Sequence, residues 1–436
     1  MARGAATLVV RGGTVVDERG ERRADVLVEG GLVREVAPAI EAPRGARTLD
    51  ASGCYVAPGL VDLHAHLREP GGEVAETVET GARAAALGGY SAVVAMPNTE
   101  PAIDSASVAR DVLALGRGAC VEVAVAGAIT VGRRGERLAP LAEMAALGVR
   151  LFTDDGRGVQ DAGLMRRALE YASDLGVVLA QHCEDEALAA GGLMHEGAWS
   201  SRLGVPGQPA LAESAMVARD LALVRLTGAR LHLLHLSTRA AVALVAAAKA
   251  EGLPVTAEAT PHHLVLTDAA LASFDPVFKV NPPLREDADV AALREALASG
   301  VVDAVATDHA PHPPEAKDEP LETAPPGMLG LETALALCHS ELCASEAPLL
   351  TPGALFARLS AHPARIAGLP GHGGPVAAGR PAHLCVFDPS ATWVVDPRAL
   401  ASRSRNTPFA GRRLTGRVRH TVVAGEAVVV DGEAQR

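Results

Sequence analysis

The sequence predicts an α/β chain: a (β/α)8 TIM-like barrel with a small β-sandwich domain built from the N- and C-terminal segments. Three observations carry that expectation. Eight apolar runs recur through the middle of the chain, separated by Ala/Leu/Arg/Glu stretches of helical period. Nearly every run ends in polar residues able to do chemistry, which is where such barrels place their sites. Both termini read differently, as short strands of alternating apolar and polar residues broken by Gly-Gly turns.

Near the start, TLVVRGG and ADVLVEGGLVREV alternate Val and Leu with polar residues. AHLCVFD and GRVRHTVVAGEAVVVDGE do the same near the end. One small domain made from residues 1–56 and 370–436, with a barrel of residues 57–369 inserted, accounts for both. The eight runs are LVDLHAH, SAVVAMPNT, VEVAVAGAIT, VRLFTDDG, VVLAQHCED, RLHLLHLST, PVTAEATPHH and VVDAVATDHAPH. Residues 313–328, PPEAKDEPLETAPPGM, are proline-rich and charged. They read as a mobile loop over the end of the eighth strand, able to close and exclude water.

Of the 436 residues, 48% are hydrophobic but only 3% aromatic, so the core must be built from Ala, Val and Leu. The net charge of −12 disfavours a nucleic-acid partner, which needs a basic face. No run reaches the length of a membrane span and no signal peptide is legible, so a cytoplasmic protein is expected. Cys54, Cys120, Cys183, Cys338, Cys343 and Cys385 form no C-x-x-C pair and read as scattered reduced thiols.

His64 and His66 stand two apart at the end of the first run. On a strand, that spacing puts both imidazoles on one face, where they can share a cation. His182 and His235 end two further runs. A single strand-end histidine is usually structural, but two at the mouth of a barrel already carrying H-x-H favour ligands. His232 has the opposite parity to His235 and reads as structural. Asp308 ends the eighth run, where an unpaired buried carboxylate would be costly. Beside a cation it becomes a ligand or a base. Its neighbour His309 should face away.

At these residues the chain resembles the metal-dependent amidohydrolases, and within them the bacterial, class I dihydroorotase family. The matching stretches are GLVDLHAHLREPG, AMPNTEP, FTDDG, QHCED, HLST, ATPHHL, KVNPPLR, ATDHAPH, GLET and SRNTPFAG. The resemblance implies that His64 and His66 hold one metal, and His182 and His235 a second. It implies zinc, one or two ions per subunit. Asp308 would be both ligand and catalytic carboxylate. His66, Arg68, Asn98, Asn281, His312 and the backbone at Pro326 and Gly327 would contact substrate. The implied reaction is the reversible cyclisation of N-carbamoyl-L-aspartate to L-dihydroorotate, by water activated on the metal with Asp308 as proton shuttle. A homo-oligomer such as a dimer, and aspartate transcarbamoylase as a further partner, also follow from the resemblance. His262 and His263 receive no role: support behind the site and a surface position are equal alternatives.

The stretch LFTDDG places two acids, Asp154 and Asp155, side by side before Gly156. Many amidohydrolases bridge two metals with a carboxylated lysine on the fourth strand. This chain has only Lys249, Lys279 and Lys317, all after the fifth run. The resemblance assigns the bridge to Asp155, and strand parity then turns Asp154 elsewhere, as a support or a loop cap. The plainer alternative is that both acids cap the turn. Two rivals to the whole reading remain: an allantoinase- or hydantoinase-like cyclic-amide hydrolase, and a catalytically silent scaffold for aspartate transcarbamoylase.

Overall fold

The structure, a computed structural model, describes residues 7–435. Its centre is one sheet of eight parallel strands, each lying in one of the eight apolar runs. They are β1 (Leu60–Ala65), β2 (Tyr90–Ala95), β3 (Glu122–Gly127), β4 (Leu151–Thr153), β5 (Val178–Gln181), β6 (Leu231–Leu233), β7 (Val255–Ala259) and β8 (Ala304–Val305). They neighbour one another in sequence order. The ring closes where Ala65 bridges His309, with His66 N donating to His309 O at 2.8 Å. β8 is too short to ladder fully with β1, and a side chain completes the seam. The buried Asp62 carboxylate accepts from Thr307 N at 2.8 Å and Thr307 Oγ1 at 2.5 Å. Burial pushes that carboxyl up to about 7 despite these bonds.

The barrel's own core uses small and medium side chains: Leu63, Val94, Met96, Ala126, Leu151, Ala180, Leu234, Ala304 and Ala306. Eight strands leave an interior just wide enough for such side chains, so the low aromatic content costs nothing here. Helices cover the outside through alanine-rich faces. Val78–Leu87 starts at a capping box between Thr77 and Thr80 and buries Ala82, Ala84, Ala85 and Ala86. Ala162–Leu175 starts on Asp161, which accepts from Leu164 N, and ends on left-handed Gly176.

Two further sheets hold the chain ends. One has four strands, with Leu8–Arg11 between Asp25–Glu29 and Arg47–Asp50. The other has seven and mixes the termini: Leu384–Val394 pairs antiparallel with Tyr55–Pro58, which runs parallel to Thr14–Asp17. Strand alternation sorts the faces of this second sheet. Val15, Val56, Val386 and Val422 join Leu8, Val10, Val26 and Val28 in the core between the sheets. Their neighbours Val16, Ala57, Cys385 and Phe387 pack on the barrel side. All six cysteines are free. Among the described residues, no helix is long and apolar enough to cross a membrane.

Candidate metal centre and substrate rim

The sequence-predicted ligands stand at or just past the carboxyl ends of five strands. His64 and His66 come from β1, Asp155 from β4, His182 from β5, His235 from β6 and Asp308 from β8. Two groups bring their donor atoms within 4.8 Å of one another: His64, His66 and Asp308, and His64, Asp155 and His235. His66 Nε2 lies 3.1 Å from Asp308 Oδ1 and 3.5 Å from Asp155 Oδ2. His64 Nε2 lies 3.4 Å from Asp155 Oδ1 and 3.5 Å from Asp308 Oδ1. His182 joins from the far side, its Nδ1 2.9 Å from His235 Nε2 and 3.6 Å from Asp155 Oδ1. All six side chains are buried. His235 and Asp308 take left-handed backbone, at φ 30° and 47°. Residues other than glycine adopt that region at a cost, and such positions gather at functional sites.

The two acids of LFTDDG part company. β4 ends at Thr153, so a turn rather than strand alternation separates them. Asp155 enters the cluster. Asp154 turns back to the β3 loop, accepting from Ile129 N at 2.8 Å and Thr130 N at 3.0 Å. Gly156, at φ 82°, makes the turn that follows. The positive partner on the outer side is Arg133, which donates to the Asp155 main-chain carbonyl. Nothing in VGRRGE singled out this arginine.

The larger omission of the sequence reading is Glu258, which is fully buried on β7. Its Oε1 lies 2.9 Å from His64 Nδ1 and its Oε2 3.0 Å from His232 Nε2, and it also accepts from His235 N at 3.2 Å. His232 anchors in turn on Thr256 Oγ1 at 2.9 Å. His232 is therefore structural, but its work is to hold the carboxylate that orients His64. The available signal was a lone acid inside the apolar run PVTAEA. Asn98 does for His66 what Glu258 does for His64: its Oδ1 lies 2.8 Å from His66 Nδ1. With both Nδ1 hydrogens directed outward, both Nε2 lone pairs face the centre.

The electrostatics call for positive charge in the middle. Burial would raise the Asp155 and Asp308 carboxyls, yet the facing imidazoles hold both below the ordinary range. Glu258 is held down to about 2, against burial, by His232 and His64. Three buried anions need either protons on the imidazoles or a cation between them. His64 Nε2 and Asp155 Oδ1 are buried atoms that make no hydrogen bond and face the same centre. Orphaned imidazole nitrogens and carboxylate oxygens are the donor set of a borderline divalent cation, so the residues fit a metal. A separate group, His195 with Glu286 and Asp289, also clusters. There Arg285 donates to His195 Nδ1 at 3.1 Å, which leaves the neutral ring's hydrogen on Nε2 and no lone pair to offer.

Above this central cluster lies a rim. Arg68, at φ 61°, is largely buried beside His312. Its Nε donates to Pro311 O at 3.1 Å and its terminal nitrogen lies 3.5 Å from His312 Nε2. His312 Nε2 also reaches Pro326 O at 2.8 Å. Burial and the nearby Arg68 push the His312 ring down to about 3, so it is a neutral donor at physiological pH. Asn281 Nδ2 lies 3.4 Å from His182 Nε2. Gly327 has φ 135°, and an added Cβ there would meet Ala310 Cβ at 2.8 Å and His312 Nε2 at 2.9 Å. His262 and His263 are both buried, which removes the surface alternative. His263 binds Thr260 Oγ1 and Pro282 O, while His262 Nε2 has no partner. His309 faces away from Asp308, toward Glu76 at 3.3 Å and Gly330 N at 3.2 Å.

Comparison with known proteins follows the same lines. A family model described as Dihydro-orotase-like matches residues 53–241. The chain is 50% identical to a dihydroorotase of Anaeromyxobacter dehalogenans over 434 residues, 98% of this chain and 99% of that one. It is 49% identical to a dihydroorotase of Pelotomaculum thermopropionicum, over 97% and 99% of the two chains. Among solved structures, an L-hydantoinase (dihydropyrimidinase) from Arthrobacter aurescens superposes with a TM-score of 0.89 at 26% identity, covering 98% of this chain and 97% of that one.

Proposed function

This chain belongs to the dihydroorotase family, and on that premise we propose that it interconverts N-carbamoyl-L-aspartate and L-dihydroorotate in pyrimidine synthesis. The observation that carries the proposal is the convergence of His64, His66, Asp155, His235 and Asp308 donors at one barrel mouth. His64, His66, Asp155 and Asp308 would hold one zinc ion, and His182 and His235 a second that shares Asp155. Bound there, zinc supplies a lowered water pKa and a polarised amide carbonyl.

The protein's own groups do the rest. In the hydrolytic direction the water oxygen bonds to the ring amide carbon and the C–N bond breaks. Asp308 takes the water's proton and gives it to the departing ring nitrogen. In the cyclising direction the ureido nitrogen attacks the side-chain carboxyl carbon, and Asp308 carries the nitrogen's proton to the leaving water. Glu258 and Asn98 keep the His64 and His66 rings in the tautomer whose Nε2 lone pairs face the reaction. Arg68 offers a planar fork to the substrate's free α-carboxylate. Asn98, Asn281, His312 and the main chain at Pro326 and Gly327 complete the contacts.

Residues 57–369 form the catalytic barrel in this reading, and residues 1–56 with 370–436 the small domain, of which residues 1–6 and 436 lie outside the described residues. The mixed pairing of Leu384–Val394 with Tyr55–Pro58 supports that division. In this reading the protein works in the cytoplasm as a homo-oligomer such as a dimer. The silent-scaffold rival loses ground because every predicted ligand is present. The hydantoinase rival lacks its bridging lysine: Lys249 pairs with Asp303 at 2.6 Å, and Lys279 and Lys317 bind main-chain carbonyls.

The test is a side-by-side assay of dihydroorotate, allantoin and dihydrouracil with zinc-loaded protein. Dihydroorotate should be turned over at least about a hundredfold faster by kcat/KM, the scale of a lost carboxylate clamp plus its contacts. Preference for either other ring would overturn the reading.

A further inference from the structure

The chain carries three lysines among 40 basic residues, and two of them meet at the rim. Lys317 ends the short helix Pro314–Lys317. Lys279 lies in the segment that leads to Asn281. Each reaches across to the other's segment. Lys317 Nζ lies 2.7 Å from Pro325 O, 3.0 Å from Pro276 O and 3.4 Å from Lys279 O. Lys279 Nζ lies 2.6 Å from Leu321 O and 3.4 Å from Glu322 O. Between them Gly327 N donates to Lys279 O at 2.9 Å.

The chemistry of this crossing is specific. All five acceptors are main-chain carbonyls. An ordinary surface ion pair would serve equally with arginine, the basic residue this chain uses nearly everywhere else. A lysine amine instead projects its N–H groups in diverging directions, which suits three carbonyls arriving from two separate segments. A guanidinium presents its donors in one flat fork and cannot face all three.

The carbonyls that Lys317 gathers sit next to the rim. Pro325 O belongs to the residue before Pro326. Pro326 O is taken by His312, and Gly327 O by Asn406 Nδ2 at 3.1 Å. Three successive carbonyls therefore have one anchor each, and Lys317 is the anchor of the first. Through Lys279 O the same amine ties this strip to the chain that carries Asn281.

We propose that Lys317 is a positioning residue: by gathering the carbonyls of Pro325, Pro276 and Lys279 it fixes the distance between the two substrate-facing segments, without touching substrate. The inference rests on the reading that Asn281, Pro326 and Gly327 face substrate.

Two measurements on the zinc-loaded protein test it, with Lys317→Met and Lys317→Arg. In steady-state kinetics with dihydroorotate, both variants should raise KM about tenfold with kcat within about twofold, the signature of lost ground-state positioning. Zinc content should be unchanged. Failure of Lys317→Arg to rescue is the outcome that separates carbonyl gathering from mere positive charge. In amide hydrogen exchange followed by mass spectrometry, both variants should lose protection at residues 321–328 and 276–281 and nowhere else. This second readout needs no turnover, so it stands even if dihydroorotate proves not to be the substrate. Unchanged exchange in those segments, or full rescue of KM by arginine, would overturn the proposal. A fall in melting temperature with KM unmoved would reduce Lys317 to a purely structural residue and equally overturn it.

Discussion

The floor and the rim of the barrel mouth are built by opposite means. The floor is made of side chains from five strand ends, held by other side chains: buried Glu258 and half-buried Asn98 orient His64 and His66, and buried His232 holds Glu258. The rim is made largely of main chain, held by side chains that reach in from elsewhere: Lys317, Lys279, His312 and Asn406. A floor of this kind is rigid because its orienting groups are buried and bonded to one another, leaving free only the atoms that face the centre. A rim of carbonyls is held at a few points, and its geometry depends on each of them. Damage to the floor should therefore strike chemistry and metal, while damage to the rim should strike binding.

The largest effect expected is from Asp308→Asn. The amide keeps the shape and an oxygen toward His66 but cannot carry a proton. A fall in kcat of about 10³-fold, with zinc still bound, is the scale for loss of a general acid–base. Stopped assays together with metal analysis measure both, and near-normal kcat would remove Asp308 as the shuttle.

Glu258→Gln comes next. A glutamine has one acceptor where Glu258 has two, so it cannot accept from both His64 Nδ1 and His232 Nε2. If its NH2 faces His64, that ring must move its hydrogen to Nε2 and close the lone pair to the metal. Zinc affinity should drop about 10- to 100-fold, the range for lost orienting partners. Competition with a chromogenic chelator reads this without any assay of turnover. Unchanged affinity would show that the floor tolerates either tautomer, and the contrast with the rim would lose its basis.

These two residues also mark what was legible in the sequence. The eight strands were legible because each is an apolar run of the right length, and the candidate ligands because histidine and aspartate at strand ends are rare enough to stand out. Glu258 carries the same kind of signal, yet a single acid inside PVTAEA has no partner nearby in sequence: His64 is 194 residues away. The split between Asp154 and Asp155 was legible in outcome but not in cause. Parity argues from a regular strand, and the strand has already ended at Thr153. The rim was least legible. Every residue has a carbonyl, so nothing in the letters marks Pro325 or Lys279 as an acceptor, and Lys317 looked like one charge in a polar loop.

On the rim, Arg68→Lys should raise KM for dihydroorotate about tenfold while kcat changes little. It trades a two-pronged contact for a single point charge and also loses the bond to Pro311 O. Equal KM in the two proteins would break the assignment of Arg68 to the carboxylate. A matching fall in kcat would move it from rim to floor.

The smallest effect concerns pH at the rim. Burial, with the like charge of Lys279, pushes the Lys317 ammonium down to about 7 from an ordinary 10.5, while Asp275 pulls weakly the other way. His312 stands near but is neutral in this range. A loop that swings away from its dock returns the amine to water and to its ordinary pKa. Docking therefore releases a proton between pH 7 and about 10, and the docked form gains as pH rises through that window. The neutral amine keeps two N–H groups, enough for Pro325 O and Pro276 O, and gives up only the longest contact, at 3.4 Å to Lys279 O. Exchange protection of residues 321–328, normalised to the intrinsic amide rate, should rise severalfold from pH 7 to pH 9 in the native protein and stay flat in Lys317→Met. The opposite slope would mean that the ammonium, not the amine, is the docked species. The carbonyls would then outweigh burial, and the rim would be held by charge after all.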